Sequence, residues 1–162
     1  RWFNMKNEEY IKYTYKHRKI VIYLAEKYIK EEMVLNQIKK HDIDKLFIYM
    51  FYDKKDISKI HRTLSNHHDN EKEKTYIDYV EMVLDWESAR YTKPDKPLNA
   101  YDTLYKYYPH MESKILPILR KFGIDKSGLE MEEDVLNYAK NIDDSKESIK
   151  KELKEYIDGY FS

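Results

Sequence analysis

The amino-terminal part of the chain carries apolar residues at the spacing of helical faces. From residue 7 to residue 30 they recur every three or four positions, which predicts one amphipathic helix. Its inward face comprises Tyr10, Thr14, His17, Val21, Leu24 and Tyr28. Two further apolar groups predict helices that meet near His41 and Asp42; they are Met33, Val34 and Ile38, and Leu46, Phe47 and Met50.

Two more helices are predicted before residue 93. The first covers residues 58–70, where the helical repeat places His61 and His68 on one apolar face. The second covers residues 74–92 and has one stripe formed by Ile77, Val80 and Leu84, and a neighbouring stripe formed by Asp78, Met82, Asp85 and Ala89. Pro94 and Pro97 then end the helical pattern.

The carboxy-terminal part predicts shorter helices near residues 99–108, 110–122, 130–141 and 145–159. Pro117 predicts a kink or an end within the second of these. The polar segment 141–154 predicts a solvated, partly frayed helix. Because the repeat is helical throughout and no hairpin signal occurs, we predict an all-α helical bundle that forms one domain over residues 1–162.

The positions of glycine and proline limit the chemistry of the first helices. All three Gly and all four Pro lie beyond residue 93, although average usage would place roughly eleven of them before it. Gly-rich phosphate loops, dinucleotide-binding loops and nucleophile elbows all require Gly at a sharp turn. Any chemistry in this part must therefore come from side chains on helices.

Composition excludes several classes of protein. Lys plus Arg and Asp plus Glu both number 30, so we expect no broad nucleic-acid surface. The absence of cysteine excludes disulfide frameworks and thiolate metal sites, and it favours a cytoplasmic location. No apolar run approaches the roughly 18 residues of a spanning helix, so we predict no membrane segment. Because the first residue is Arg1 rather than Met, we expect further residues upstream.

Five of the six histidines lie between residues 17 and 68. Taken alone, an inward-facing His17 is more often a hydrogen-bonded core residue than a ligand. However, His17, the adjacent pair His41 and Asp42, and Asp85 come from three helical segments and face one predicted interior. Burying two imidazoles and two carboxylates together is costly unless a cation organises them. A divalent metal would meet that need.

The same residues carry a resemblance to a known superfamily. The order of one His, a His-Asp pair and a later Asp, all on helices, resembles the HD-domain metal-dependent phosphohydrolases. Within that superfamily, a group of small bacterial and phage HD-like proteins is similar over residues 10–92. The segments that carry this likeness are HDIDKL (41–46), HRTLSNHH (61–68) and EMVLDW (81–86). Asp44 stands where that group more often has Ser, which leaves the ligands unchanged but puts the substrate type in question.

The resemblance implies an HD-like helical domain with His17, His41, Asp42 and Asp85 as metal ligands. Such a mixed N/O set suits Mn, Fe, Co, Ni or Zn. It also implies a phosphohydrolase of a nucleotide or another small phosphoester, in which the metal lowers the pKa of water for attack on phosphorus. The alternative is a non-catalytic HD-like module that binds metal and ligand, for example a phage or bacterial sequestering protein. The sequence does not specify the oligomeric state.

Further candidates surround this set. His61, His67 and His68 would bind a second metal, donate a proton to the leaving oxygen or contact phosphate, or else be surface or structural residues. Lys45, four residues after His41, would hold a substrate phosphate or be exposed. Glu81, one turn before Asp85, would orient a ligand or be a surface acid. The group Trp86, Arg90 and Tyr91 would frame a base or sugar, although core packing is commoner for such a Trp.

Overall fold

The computed structural model describes residues 8–39, 73–93, 95 and 97–161 of the 162-residue chain. This described part contains seven α-helices and no strand, so the predicted all-α class is confirmed. The helices are α1 (Glu8–Tyr28), α2 (Glu32–Ile38), α3 (Tyr76–Thr92), α4 (Ala100–Tyr107), α5 (Glu112–Phe122), α6 (Glu133–Lys140) and α7 (Lys146–Phe161), and a 3₁₀ turn (Pro109–Met111) precedes α5. The predicted helices at 58–70 and around residues 41 and 42 lie outside the described residues.

Helix α3 occupies the centre of the bundle because it contacts α1, α2, α4, α5 and α6. Its residues Met82, Val83 and Leu84 are all buried, on successive sides of the helix. The two stripes predicted from the sequence therefore belong to a helix that is covered over most of its circumference. From α1, Ile20, Val21 and Leu24 pack into the same core, as the predicted face requires for Val21 and Leu24.

A capping box fixes the start of α3. The backbone N–H of Asp78 donates to Thr75 Oγ1 at 3.3 Å, and the Asp78 carboxylate accepts from the Thr75 backbone N–H at 2.7 Å. This reciprocal pair satisfies two donors that would otherwise be left at the helix terminus. Asp78, which shares a predicted stripe with Asp85, thus takes part in the cap at the start of α3.

The helix α5 runs through Pro117 and ends at Phe122. Of the two outcomes predicted for Pro117, an end of the helix is wrong, because one missing backbone donor is outweighed by the burial of Ile115, Ile118 and Leu119. The predicted kink stays a prediction. Gly123 ends it instead, with a left-handed φ of 72°. The next N–H, of Ile124, then reaches back to the Leu119 carbonyl at 3.0 Å, which closes the helix end.

The polar carboxy-terminal segment packs one face of a helix against the bundle. Within α7, Ile149 and Leu153 are buried, and Glu152 contacts residues of α1. The predicted solvated, partly frayed helix over residues 141–154 is a helix from Lys146 onward with mostly exposed or half-buried residues, and Ile149 and Leu153, four positions apart, dock one face of it. The predicted fraying stays a prediction. Among the described residues, no helix combines the length and the apolar character needed to cross a membrane.

Candidate functional site

A cavity of about 630 Å³ lies where α1, α3 and α4 meet. Its wall is shared among α1, α3, α4 and the segment that joins α3 to α4. The lining residues are Tyr13, Thr14, His17, Asp85, Trp86, Ala89, Asp95, Pro97, Leu98, Thr103, Lys106, Tyr107 and Tyr108. Two residues predicted as metal ligands, His17 and Asp85, are among them.

His17 of α1 and Asp85 of α3 form a close pair in this wall. The distance between His17 Nε2 and Asp85 Oδ1 is 2.6 Å, although 68 residues separate them in the chain. The His17 side chain is 7% exposed and that of Asp85 is 19% exposed. The pair is therefore largely shielded from solvent, while the carboxylate keeps access to the cavity. Helical packing of α1 against α3 is what brings them together.

Ser88 lies behind the imidazole of His17. Its hydroxyl oxygen is 3.2 Å from His17 Nδ1 and donates to the backbone carbonyl of Asp85 at 3.0 Å. Ser88 is fully buried. One hydroxyl group thus contacts both members of the pair, the ring of one and the backbone of the other. No sequence motif pointed to Ser88, although its place three residues after Asp85 puts both on one side of a helix.

Aromatic rings line the same cavity as the pair. The Tyr13 ring lies parallel to the His17 imidazole, with centroids 6.2 Å apart and 8° between the planes. The ammonium of Lys93 sits 4.5 Å from the centroid of the Tyr13 ring. Trp86 stacks on Tyr108 of the segment after α4, with centroids 4.9 Å apart and 4° between planes. Such contacts hold rings in fixed orientations along the cavity wall.

Helix α4 contributes the part of the wall that no sequence motif indicated. Thr103 and Lys106 are three residues apart on α4, so they share a helical face, and both line the cavity. Lys106 also lies over the ring of Tyr107, with its ammonium 5.3 Å from the centroid. The cavity therefore combines a histidine and carboxylates with a lysine and aromatic rings.

Glu81, Arg90 and Tyr91 do not belong to this wall. Glu81 is 7% exposed on α3, one turn before Asp85, and is buried rather than a surface acid. Tyr91 packs in the core, where its hydroxyl accepts from the Glu132 backbone N–H at 2.8 Å. Arg90 is 3.6 Å from the buried carboxylate of Glu87. Only Trp86 of the predicted frame therefore lines the cavity.

The other predicted site residues lie outside the described residues, and their roles stay predictions. They are His41, Asp42, Lys45, His61, His67 and His68. Within the residues that the structure describes, no group of three or more His, Asp or Glu side chains could hold a metal. The pair His17 and Asp85 supplies two members of the predicted set of four.

Comparison with known proteins adds no relative. No family model, no curated protein and no solved structure matches this chain.

Proposed function

We propose that the protein is a divalent-metal-dependent hydrolase of small phosphoesters that carry a ring. The observation that supports this proposal most directly is the 2.6 Å approach of His17 Nε2 to Asp85 Oδ1 in the wall of a large cavity. A His and Asp pair that only stabilised a core would more typically be enclosed by packed side chains. Here the pair borders a space that would admit a ligand.

The chemistry of the two donors fits a metal of the proposed group. An imidazole nitrogen and a carboxylate oxygen are ligands that suit Mn, Fe, Co, Ni and Zn. In the proposed site, His41 and Asp42 add a second imidazole and a second carboxylate, and Glu81 lies buried one turn from Asp85. A bound divalent cation would polarise a phosphoryl oxygen and make water a stronger nucleophile near neutral pH.

The size and the lining of the cavity favour a substrate larger than phosphate. A volume of about 630 Å³ is within the range of small-molecule sites. The face of the Trp86 and Tyr108 stack offers a surface for a flat ring or a sugar. Lys106 supplies a positive charge for non-bridging phosphate oxygens. A nucleotide is one substrate of this class.

The remaining predicted residues complete the proposed reaction. Lys45 would hold a phosphate oxygen together with Lys106. One of His61, His67 and His68 would donate a proton to the leaving oxygen, a role that usually contributes about 10²–10⁴-fold to the rate. Replacing that histidine by Ala should lower turnover by this factor without releasing metal.

The test compares two carboxylates of the same cavity. Asp85→Asn and Asp95→Asn each remove one negative charge from the lining, but only Asp85 contacts His17. Protein purified without chelator or affinity metal is analysed for its elements and then given nucleotides, sugar phosphates and pyrophosphate in the presence of Mn²⁺. We expect Asp85→Asn alone to lose both metal and phosphate release.

Equal metal retention in wild type and Asp85→Asn would contradict the proposed site. Equal phosphate release in both proteins would indicate a contaminating phosphatase. A protein that keeps metal and retains a phosphorylated ligand, yet releases no phosphate, would instead support the non-catalytic binding module.

A further inference from the structure

The buried hydroxyl of Ser88 lies within hydrogen-bond distance of both His17 Nδ1 and the Asp85 carbonyl. A serine hydroxyl has one proton to donate and two lone pairs to accept with. Ser88 Oγ uses its proton toward the Asp85 carbonyl, at 3.0 Å. Toward His17 Nδ1, at 3.2 Å, it is therefore left as an acceptor. Ser88 Oγ makes both of these hydrogen bonds at once only when the imidazole carries a proton on Nδ1.

A proton on Nδ1 determines what the opposite nitrogen does. Nε2 is the atom that faces Asp85 Oδ1 at 2.6 Å, and the carboxylate oxygen is itself an acceptor. Two lone pairs at this distance repel unless a cation or a second proton lies with them. With Nδ1–H donated to Ser88, Nε2 is thus prepared to bind a cation that Asp85 also binds.

We propose that Ser88 is a positioning residue of the metal site. It accepts the Nδ1 proton of His17, which fixes the ring orientation and leaves the Nε2 lone pair on the side of Asp85. Its second hydrogen bond holds the backbone of Asp85 itself, so one hydroxyl positions both donors. The role in metal binding rests on the proposed function, whereas the hydrogen bond to His17 also exists without metal.

The chain provides a matched control one turn further along α3. Thr92 is also buried, and its hydroxyl donates to the Ser88 backbone carbonyl at 2.9 Å. Thr92→Val and Ser88→Ala therefore each remove one buried hydroxyl that bonds to a carbonyl of the same helix. Only Ser88→Ala removes the partner of the imidazole.

The experiment measures Zn²⁺ affinity by chelator competition and the exchange of the His17 imidazole proton by NMR. We expect Ser88→Ala to weaken Zn²⁺ binding by about 10–100-fold, and Thr92→Val to change it less than about twofold. In wild type and Thr92→Val, the proton should be on Nδ1 and exchange slowly, with and without Zn²⁺. In Ser88→Ala it should exchange rapidly.

The two proposals fail in different ways. Tight Zn²⁺ binding that Ser88→Ala and Thr92→Val affect equally would overturn the role of Ser88 and leave the metal site intact. A wild-type His17 that carries its proton on Nε2 with Zn²⁺ bound would also overturn the role of Ser88. This measurement uses only the wild-type protein, so it does not depend on whether a variant folds. A wild type that binds no Zn²⁺, while Ser88 still protects the Nδ1 proton, would overturn the proposed function and with it the metal-positioning role.

Discussion

Two neighbouring residues of α1 belong to two different polar clusters. His17 joins Asp85 and Ser88 beside the cavity, and we call these three residues the His17 cluster. Arg18 joins Tyr15 and Glu152, which form the Arg18 cluster. Both lie between helices and both contain a carboxylate. They differ in what neutralises that carboxylate and in what covers it.

The Arg18 cluster contains its own permanent cation. Arg18 Nη1 donates to Glu152 Oε1 at 2.8 Å, and Nη2 donates to the Lys39 carbonyl at 2.5 Å. The Tyr15 hydroxyl and the Lys19 ammonium contact the other oxygen of Glu152, at 2.7 Å and 3.0 Å. The carboxylate of α7 is therefore matched by side chains of α1 without any ligand.

The three residues of the His17 cluster include no permanent cation, because an imidazole is charged only when protonated. The carboxylate of this cluster also borders a cavity rather than a docked helix. We therefore expect substitutions in the Arg18 cluster to change mainly the stability of the fold, and substitutions in the His17 cluster to change mainly the properties of the proposed site. Substitutions should separate these two roles.

The largest effect on folding should come from Arg18→Met. Removing this buried charge leaves Glu152 without its closest cation, so we expect the free energy of unfolding to fall by about 3 kcal/mol. Metal content should be unchanged. Lys12→Met, on the same helix, removes an exposed charge 3.9 Å from Glu8 and should cost less than about 0.5 kcal/mol. Denaturant unfolding of both variants checks this, and equal losses would contradict the comparison.

The pH dependence of stability should have opposite signs at two glutamates. Burial opposes ionisation of Glu152, but hydrogen bonds from Tyr15 and Lys19 outweigh it and hold its pKa below the usual 4.5. Burial raises the pKa of Glu87 above that value, and the Ala100 amide and Arg90 oppose this only in part. Ionised Glu152 thus stabilises the folded protein, and this contribution is lost as the pH falls through its folded pKa. At Glu87 the sign is opposite, because ionisation of this buried carboxyl lowers the stability of the folded protein as the pH rises above 4.5.

These signs are measured with Glu152→Gln and Glu87→Gln between about pH 3 and pH 7, the range in which carboxyl groups titrate. The stability of wild type minus that of Glu152→Gln should increase with pH. The same difference for Glu87→Gln should decrease. The amide introduced by Glu87→Gln keeps an acceptor for the Ala100 N–H, which Glu87 binds at 2.9 Å. A difference that also decreases with pH for Glu152→Gln would show that burial, and not the hydrogen bonds, dominates at both sites.

A smaller effect is expected at the cavity wall. Trp86→Leu keeps an apolar side chain but removes the ring that stacks on Tyr108. Loss of aromatic contact with a ring-bearing substrate should lower kcat/KM about 3–10-fold, which corresponds to about 0.5–1.5 kcal/mol. Turnover of a phosphoester without a ring should not change. An equal decrease for both substrates would mean that Trp86 supports the fold of the site instead.

Within the Arg18 cluster, a smaller effect than that of Arg18→Met should come from Tyr15→Phe. It removes one hydrogen bond to Glu152 and keeps the buried ring, so the free energy of unfolding should fall by about 1 kcal/mol. Glu152 keeps Arg18 and Lys19 as partners. Thermal unfolding measures the change, and a loss as large as that of Arg18→Met would indicate that the cluster acts as one unit.

Local patterns predicted the helices and one pair of the site. The spacing of Val21 and Leu24 indicated the inner face of α1, and the same face brings His17 to Asp85. The spacing did not predict Lys106 or Tyr108, because they reach the cavity through the packing of α4, which no local pattern encodes. Likewise, the polar composition of α7 did not predict that Glu152 binds the guanidinium of Arg18, which lies 134 residues away in the chain.

The separation between Arg18 and Glu152 also sets an order of events during synthesis. All of α1 and α3 exists once residue 92 has been made, so His17 and Asp85 have both been added to the chain before translation reaches α4. The carboxylate partner of Arg18, Glu152, lies in the last described helix and is added to the chain much later. Doubling the length of a loop raises the entropic cost of closing it by only about 0.6 kcal/mol. The two clusters therefore differ more in when their residues are synthesised than in the entropy of bringing those residues together. A chain still being translated therefore contains both His17 and Asp85 while the side of α1 that contacts α7 is still uncovered.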